Sequence, residues 1–168
     1  MPKTLIDRCR PDSIIEFRAS AKQRFDDGLV AAAHERRLAA IYLWGYAAEM
    51  ILKAAYFSAS GFDDNQEITM SDLKEAVEFG TSSRVSWPRK GQLHNVRAWA
   101  ETLVVRRASM LGTAYDRPGF GIKVASQGRR LERFWSESLR YHSNLAYPHE
   151  VRRVKTAAEW LLANTNLL

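Results

Sequence analysis

The stretch Arg37–Phe57, RLAAIYLWGYAAEMILKAAYF, limits the fold more than any other part of the chain. Between Leu38 and Ala59 only Glu49 and Lys53 carry charge, and they stand four residues apart. In an α-helix that spacing puts them on one face, with the acid N-terminal to the base, the favourable order for an ion pair. Leu38, Ile41, Tyr42, Trp44, Met50, Ile51, Leu52 and Tyr56 cover nearly all of the remaining circumference. A helix that is apolar almost all round is buried in a bundle or in a membrane. The longest uncharged run, Leu38–Ala48, is 11 residues, short of the about 20 that a span requires, so the bundle is expected and no membrane partner. Ala39, Ala40, Gly45, Ala47, Ala48, Ala54 and Ala55 leave room for neighbouring helices to come close.

The rest of the chain supplies those neighbours. Residues 1–13 read as an irregular arm broken by Pro2 and Pro11. Ser13, with Glu16 three residues on, has the pattern of a capping box. It opens a helix that carries Ile14, Phe17, Ala21, Phe25, Leu29 and Ala32 at three- and four-residue steps. Gly28 lies inside it and suits close packing, here against the central helix. A break is expected at His34–Arg37. Beyond the central helix, a short helix is expected over Asp72–Phe79, stopped by Gly80. Another is expected over Gln92–Leu111, ended by Gly112. The glycines and proline of TAYDRPGFGIKVASQG predict a surface loop, followed by a helix over Ser126–Ser143. Pro148 suits the first turn of a final helix. No stretch alternates with period two. The expectation is one all-α domain over 1–168, an antiparallel up-and-down bundle of four to five long helices plus a short one.

Chemistry is less constrained. Cys9 is the only cysteine, so an internal disulfide and a cysteine zinc site are excluded, and a reducing, cytoplasmic setting is the default. His34, His94, His142 and His149 are scattered, no pair has helical metal-site spacing, and HExxH is absent, so neither metal nor cofactor is expected. Gly119 and Gly121 do not make a phosphate loop, because no strand precedes them and no Gly-Lys-Ser/Thr follows. No nucleophile elbow occurs.

Charge points to a partner. The chain carries +6 overall, but residues 1–81 sum to −3 and residues 82–168 to +9. Such asymmetry suits an acidic partner, nucleic acid being the commonest, or is simply a solvated arginine-rich surface. Of 25 basic residues, 18 are Arg, the side chain that grips phosphate in bidentate fashion. Arg129, Arg133 and Arg140 fall on one face of the helix expected over Ser126–Ser143, and Arg152 and Lys155 on the polar side of the next. A groove between those helices would be cationic. Trp87, among Arg84, Arg89 and Lys90, either stacks on a base or anchors its loop.

These residues resemble a known family, the HEPN domain (higher eukaryotes and prokaryotes nucleotide-binding). The resemblance runs over roughly Ile14–Leu162. Its most telling part is Gly45–Ala54, the GYAxExxLKA core of the Ala40–Tyr56 segment. Weaker landmarks are Leu93-His94-Asn95, Leu139-Arg140-Tyr141 and Ala157–Leu162. The resemblance implies a helical bundle that commonly forms a homodimer and often pairs with a minimal nucleotidyltransferase in toxin–antitoxin modules. It also implies a nucleotide- or RNA-binding surface, drawn here on Arg129, Arg133, Arg140, Tyr141, Arg152 and Lys155. Some members are metal-independent endoribonucleases using an Arg and a His four to six residues apart. One residue separates Arg140 from His142 and eight separate it from His149, so the spacing departs from that motif. A catalytic set of Arg140 with His142 or His149 is therefore one expectation, a non-catalytic binder is another, and a pure protein-interaction bundle is a third.

Overall fold

The polar residues Glu49 and Lys53 interrupt an otherwise apolar helix, and other helices of the described residues pack around it. The computed structural model describes residues 10–89, 92–111, 117–143 and 145–168. Cys9, most of the expected N-terminal arm, Lys90 and Gly112 lie outside them. Six α-helices run in the order α1 (Ile14–Ala33), α2 (Arg37–Ala59), α3 (Met70–Ser82), α4 (Val96–Leu111), α5 (Phe120–Glu132) and α6 (Pro148–Ala163). Single 3-10 turns occupy Gln92–His94, Glu137–Tyr141 and Thr165–Leu167. No strand occurs among the described residues, and the fold is an all-α bundle. α2 packs against α1, α4, α6 and the Glu137–Tyr141 turn, while α5 bridges α4 and α6 and α3 lies on α4.

α2 is 23 residues long and, by length and hydropathy alone, apolar enough to cross a membrane. In this fold 67% of its most apolar window is buried under the other helices. Trp44, Leu52 and Phe57 are essentially inaccessible, as are the alanines at 40, 47, 48 and 54. Gly28 of α1 admits α2 at close range, since a Cβ there would stand 2.5 Å from the Trp44 Nε1. Trp44 instead donates that N–H to the Phe25 carbonyl at 3.1 Å. The Ser13 hydroxyl caps α1 by accepting from the Glu16 amide at 3.3 Å.

Three expected boundaries differ. α3 starts earlier, because Thr69 and Asp72 form the capping box, with the Asp72 carboxylate accepting the Thr69 amide at 2.7 Å. It also runs through Gly80, whose missing side chain makes room for Thr102 and Trp87. α4 begins at Val96, where the Asn95 side chain accepts the Ala98 amide at 2.7 Å. The largest correction concerns the helix expected over Ser126–Ser143. Its first part belongs to α5, which begins inside the expected loop. Gly119, at φ 76°, supplies the left-handed residue just before the first turn. Gly128 lies in mid-helix, where a Cβ would meet the Ala100 methyl at 2.6 Å.

α5 then stops at Glu132. Trp135 leaves the helical path to lie over Gly45, where any Cβ would overlap its ring. Its indole N–H donates to the Tyr42 carbonyl at 3.0 Å. Ser136 is extended, and a 3-10 turn follows. Arg140 is therefore not on the helix that carries Arg129, and the shared arginine face does not form.

Candidate functional site

Helical spacing sets Tyr42, Tyr46, Glu49 and Lys53 in one stripe along α2, at steps of four, three and four. The inner end is deeply buried. The Glu49 and Lys53 side chains are 3% and 8% exposed, and Lys53 donates to the Glu49 carboxylate. The Lys53 ammonium also sits 5.5 Å from the Trp99 ring centroid. Charges so far from water persist only when paired and hydrogen-bonded.

His94 closes the pair from outside. It ends the first 3-10 turn, and its Nδ1 lies 3.1 Å and 3.2 Å from the two Glu49 oxygens. Its Nε2 lies 3.1 Å from Glu137 Oε2 on the second turn. The hydrogen bond with Glu49 holds the imidazole above its ordinary pKa, against the lowering by burial and by Lys53, while Glu137 adds to the rise. The two carboxylates lie at opposite nitrogens of one ring and do not converge on a common point. Among the described residues no three His, Cys, Asp or Glu side chains form a set fit to hold a metal ion.

Tyr46 continues the stripe outward. Its ring meets His94 edge-on at 6.0 Å, Trp135 at 5.4 Å and Tyr42 at 4.9 Å. Burial, then the hydrogen bond with Tyr42, pushes its phenol pKa well up. The stripe ends at Arg140, whose charge acts on both Tyr42 and Tyr46. Its guanidinium lies 4.8 Å from the ring centre of Tyr141, which is 74% exposed.

Arg140 opens onto a cleft of about 400 Å³, lined by Arg36, Leu38, Ala39, Tyr42, Leu139 and His142 as well as Arg140 itself. Two guanidiniums, an imidazole and a phenol thus face an apolar floor, and no carboxylate lines it. The chemistry suits a phosphate with an attached planar group. The guanidiniums can grip the oxyanion in bidentate fashion, and a tyrosine can stack.

The predicted site residues divide. Arg140 and His142 come together in this cleft, whereas Tyr141 is exposed and does not line it. Arg133 lines a neighbouring cleft of about 380 Å³, beyond Leu139, beside Glu132 and Glu150. His149 is exposed in the first turn of α6, its ring stacked on Tyr147 at 5.9 Å, and lines neither cleft. Arg129 pairs with Glu101 of α4 at 3.3 Å and lines neither cleft. Arg152 and Lys155 lie along α6 and line neither cleft. Trp87 is a loop anchor, with its ring edge-on to Trp99 at 5.3 Å.

Sequence reasoning gave no site role to Tyr46, Glu137 or Arg36, and named His94 only as a landmark of the resemblance. The 42–46–49–53 spacing was a usable signal for the stripe. The partnership of His94 with two distant acids left none. No family model, no curated protein and no solved structure matches this chain.

Proposed function

We propose that the protein is a HEPN-like bundle that binds a nucleotide phosphate, free or within RNA, in the cleft of Arg36, Tyr42, Arg140 and His142. The observation that carries this reading is the convergence of two arginines, a histidine and a tyrosine on one carboxylate-free cleft. One segment that carries the HEPN resemblance, Leu139-Arg140-Tyr141, lines this cleft with Leu139 and Arg140, and two others meet along the stripe behind it. Gly45–Ala54 supplies Tyr46, Glu49 and Lys53, Leu93-His94-Asn95 supplies the bridging imidazole, and Leu139-Arg140-Tyr141 supplies the guanidinium. A dimer, a nucleotidyltransferase partner and a toxin–antitoxin setting belong to the same reading and rest on the resemblance alone.

Binding of a short, labelled single-stranded RNA in EDTA tests it. Affinity should fall steeply with salt, and Arg140→Ala should weaken binding and flatten the salt slope by about one phosphate contact. RNA affinity unchanged in Arg36→Ala and Arg140→Ala would remove the cleft from consideration.

A second reading, a metal-independent endoribonuclease, is favoured by one observation, that Arg140 and His142 share the cleft. There His142 would take the proton of a ribose 2′-hydroxyl as it attacks phosphorus and expels the 5′-oxygen, while Arg140 steadies the charge on the phosphate. Cleavage products in EDTA that vanish in His142→Ala, with binding retained, select this reading over the simple binder.

A further inference from the structure

We propose that His94 is the positioning residue of this cleft: as an imidazolium held between Glu49 and Glu137, it pins the 3-10 turn that carries Arg140 onto α2. The inference rests on the cleft reading for its consequence, but its structural core stands on geometry alone.

Both ring nitrogens of His94 lie at hydrogen-bond distance from carboxylate oxygens. An ionised carboxylate only accepts, and a neutral imidazole has a single N–H. Nδ1 is hydrogen-bonded to Glu49, while Nε2 makes a charge contact with Glu137; only a ring with both protons turns an N–H toward each carboxylate, since a neutral ring turns a lone pair toward one of them. The groups that face the ring are Glu49, Lys53 and Tyr46 from α2 and Glu137 from the turn. The Lys53 charge is already countered by Glu49, so the remaining balance across the ring favours the cation.

A 3-10 helix has three residues per turn, so side chains three apart lie one above the other. Glu137 and Arg140 are such a pair. Fastening Glu137 to His94 therefore orients Arg140 toward Tyr42 and the cleft. No other ion pair of the turn is seen among the described residues; Trp135 anchors the chain two residues before it. Without its proton, the ring can serve only one of the two acids. The buried Glu49 has the stronger claim, and Glu137, 36% exposed, is released to water.

Three measurements test this on the full chain. First, imidazole nitrogen shifts should show His94 doubly protonated at neutral pH, and Glu137→Gln should lower its pKa. A neutral single tautomer at neutral pH would overturn the proposal. Second, amides of 137–142 should exchange faster in Glu137→Gln and in His94→Gln, with the helices still protected. Unchanged exchange would overturn it too. Third, the labelled RNA should bind Glu137→Gln about tenfold more weakly. In a His142→Gln background, which removes the cleft's own imidazole, affinity should decline as pH rises through the His94 titration. The further change His94→Arg should keep affinity and abolish that pH dependence, because a guanidinium never loses its charge. If the parent protein binds neither RNA nor a mononucleotide at any pH, the cleft reading fails, and the first two measurements still decide the clamp.

Discussion

Glu49 and His94 are 45 residues apart in the chain and 3.1 Å apart in space. Their contact joins the central helix to the loop before α4, and through Glu137 to the turn that bears Arg140. One consequence is a pH-dependent stability with a defined sign. His94 binds its proton more tightly folded than unfolded, because its folded pKa is raised. The contribution is fully present below about pH 6.5, the ordinary value, and is lost as pH rises through the folded value. Urea denaturation across that window should show wild type losing stability with rising pH relative to His94→Gln. Parallel curves would count against the bridge.

Removing Glu49 should be far more damaging than removing a surface acid. Glu49→Ala leaves the Lys53 ammonium, 8% exposed, without its partner, and the expected loss is about 3–5 kcal/mol. Pairing it with Lys53→Met removes both charges and should recover much of that loss. The urea midpoints of the two variants make the comparison. A double variant no more stable than Glu49→Ala contradicts the unpaired charge as the cause.

Gly45→Ala should act on the cleft from a distance. The new methyl would overlap the Trp135 ring, so the indole must leave its hydrogen bond with the Tyr42 carbonyl. Overpacking of this kind costs about 1–3 kcal/mol. The Trp135 indole N–H resonance should shift strongly, and amides of the 137–141 turn should lose protection. A variant with both signals unchanged would show that Trp135 does not hold the turn.

Arg129→Ala and Arg152→Ala should leave RNA affinity within about twofold of wild type, since neither residue lines the cleft and exposed ion pairs contribute little. Arg36→Ala should weaken binding as Arg140→Ala does. Equal losses for all four arginines would describe a diffuse basic surface instead of a site.

The central helix was legible because its pattern is local: one charged pair in an apolar circumference has few other solutions. The Ser13 cap and Pro148 at the start of α6 were legible for the same reason. The α5 region was not. Gly119, Gly121 and Gly128 look like loop residues to any local rule, whereas Gly121 and Gly128 lie within α5, and the missing side chain at Gly128 lets Ala100 come close. The end of α5 is set by the fit of Trp135 to Gly45, a contact between residues 90 positions apart in the chain. The site shows the same division. Arg140 and His142 stood out as a nearby cation and imidazole. His94 looked like one of several scattered histidines because both of its acids come from other elements. Part of the basic excess in the second half is also internal, with Arg97 held by Glu101 and Glu132.

The most direct test of the cleft is to titrate a mononucleotide and a short single-stranded RNA into isotope-labelled protein and map the amide shifts. Residues 36–42 and 137–142 should move together and saturably, and Arg140→Ala should weaken the response. Shifts confined to other surfaces, or no shift at saturating ligand, would contradict a phosphate-binding role for this cleft.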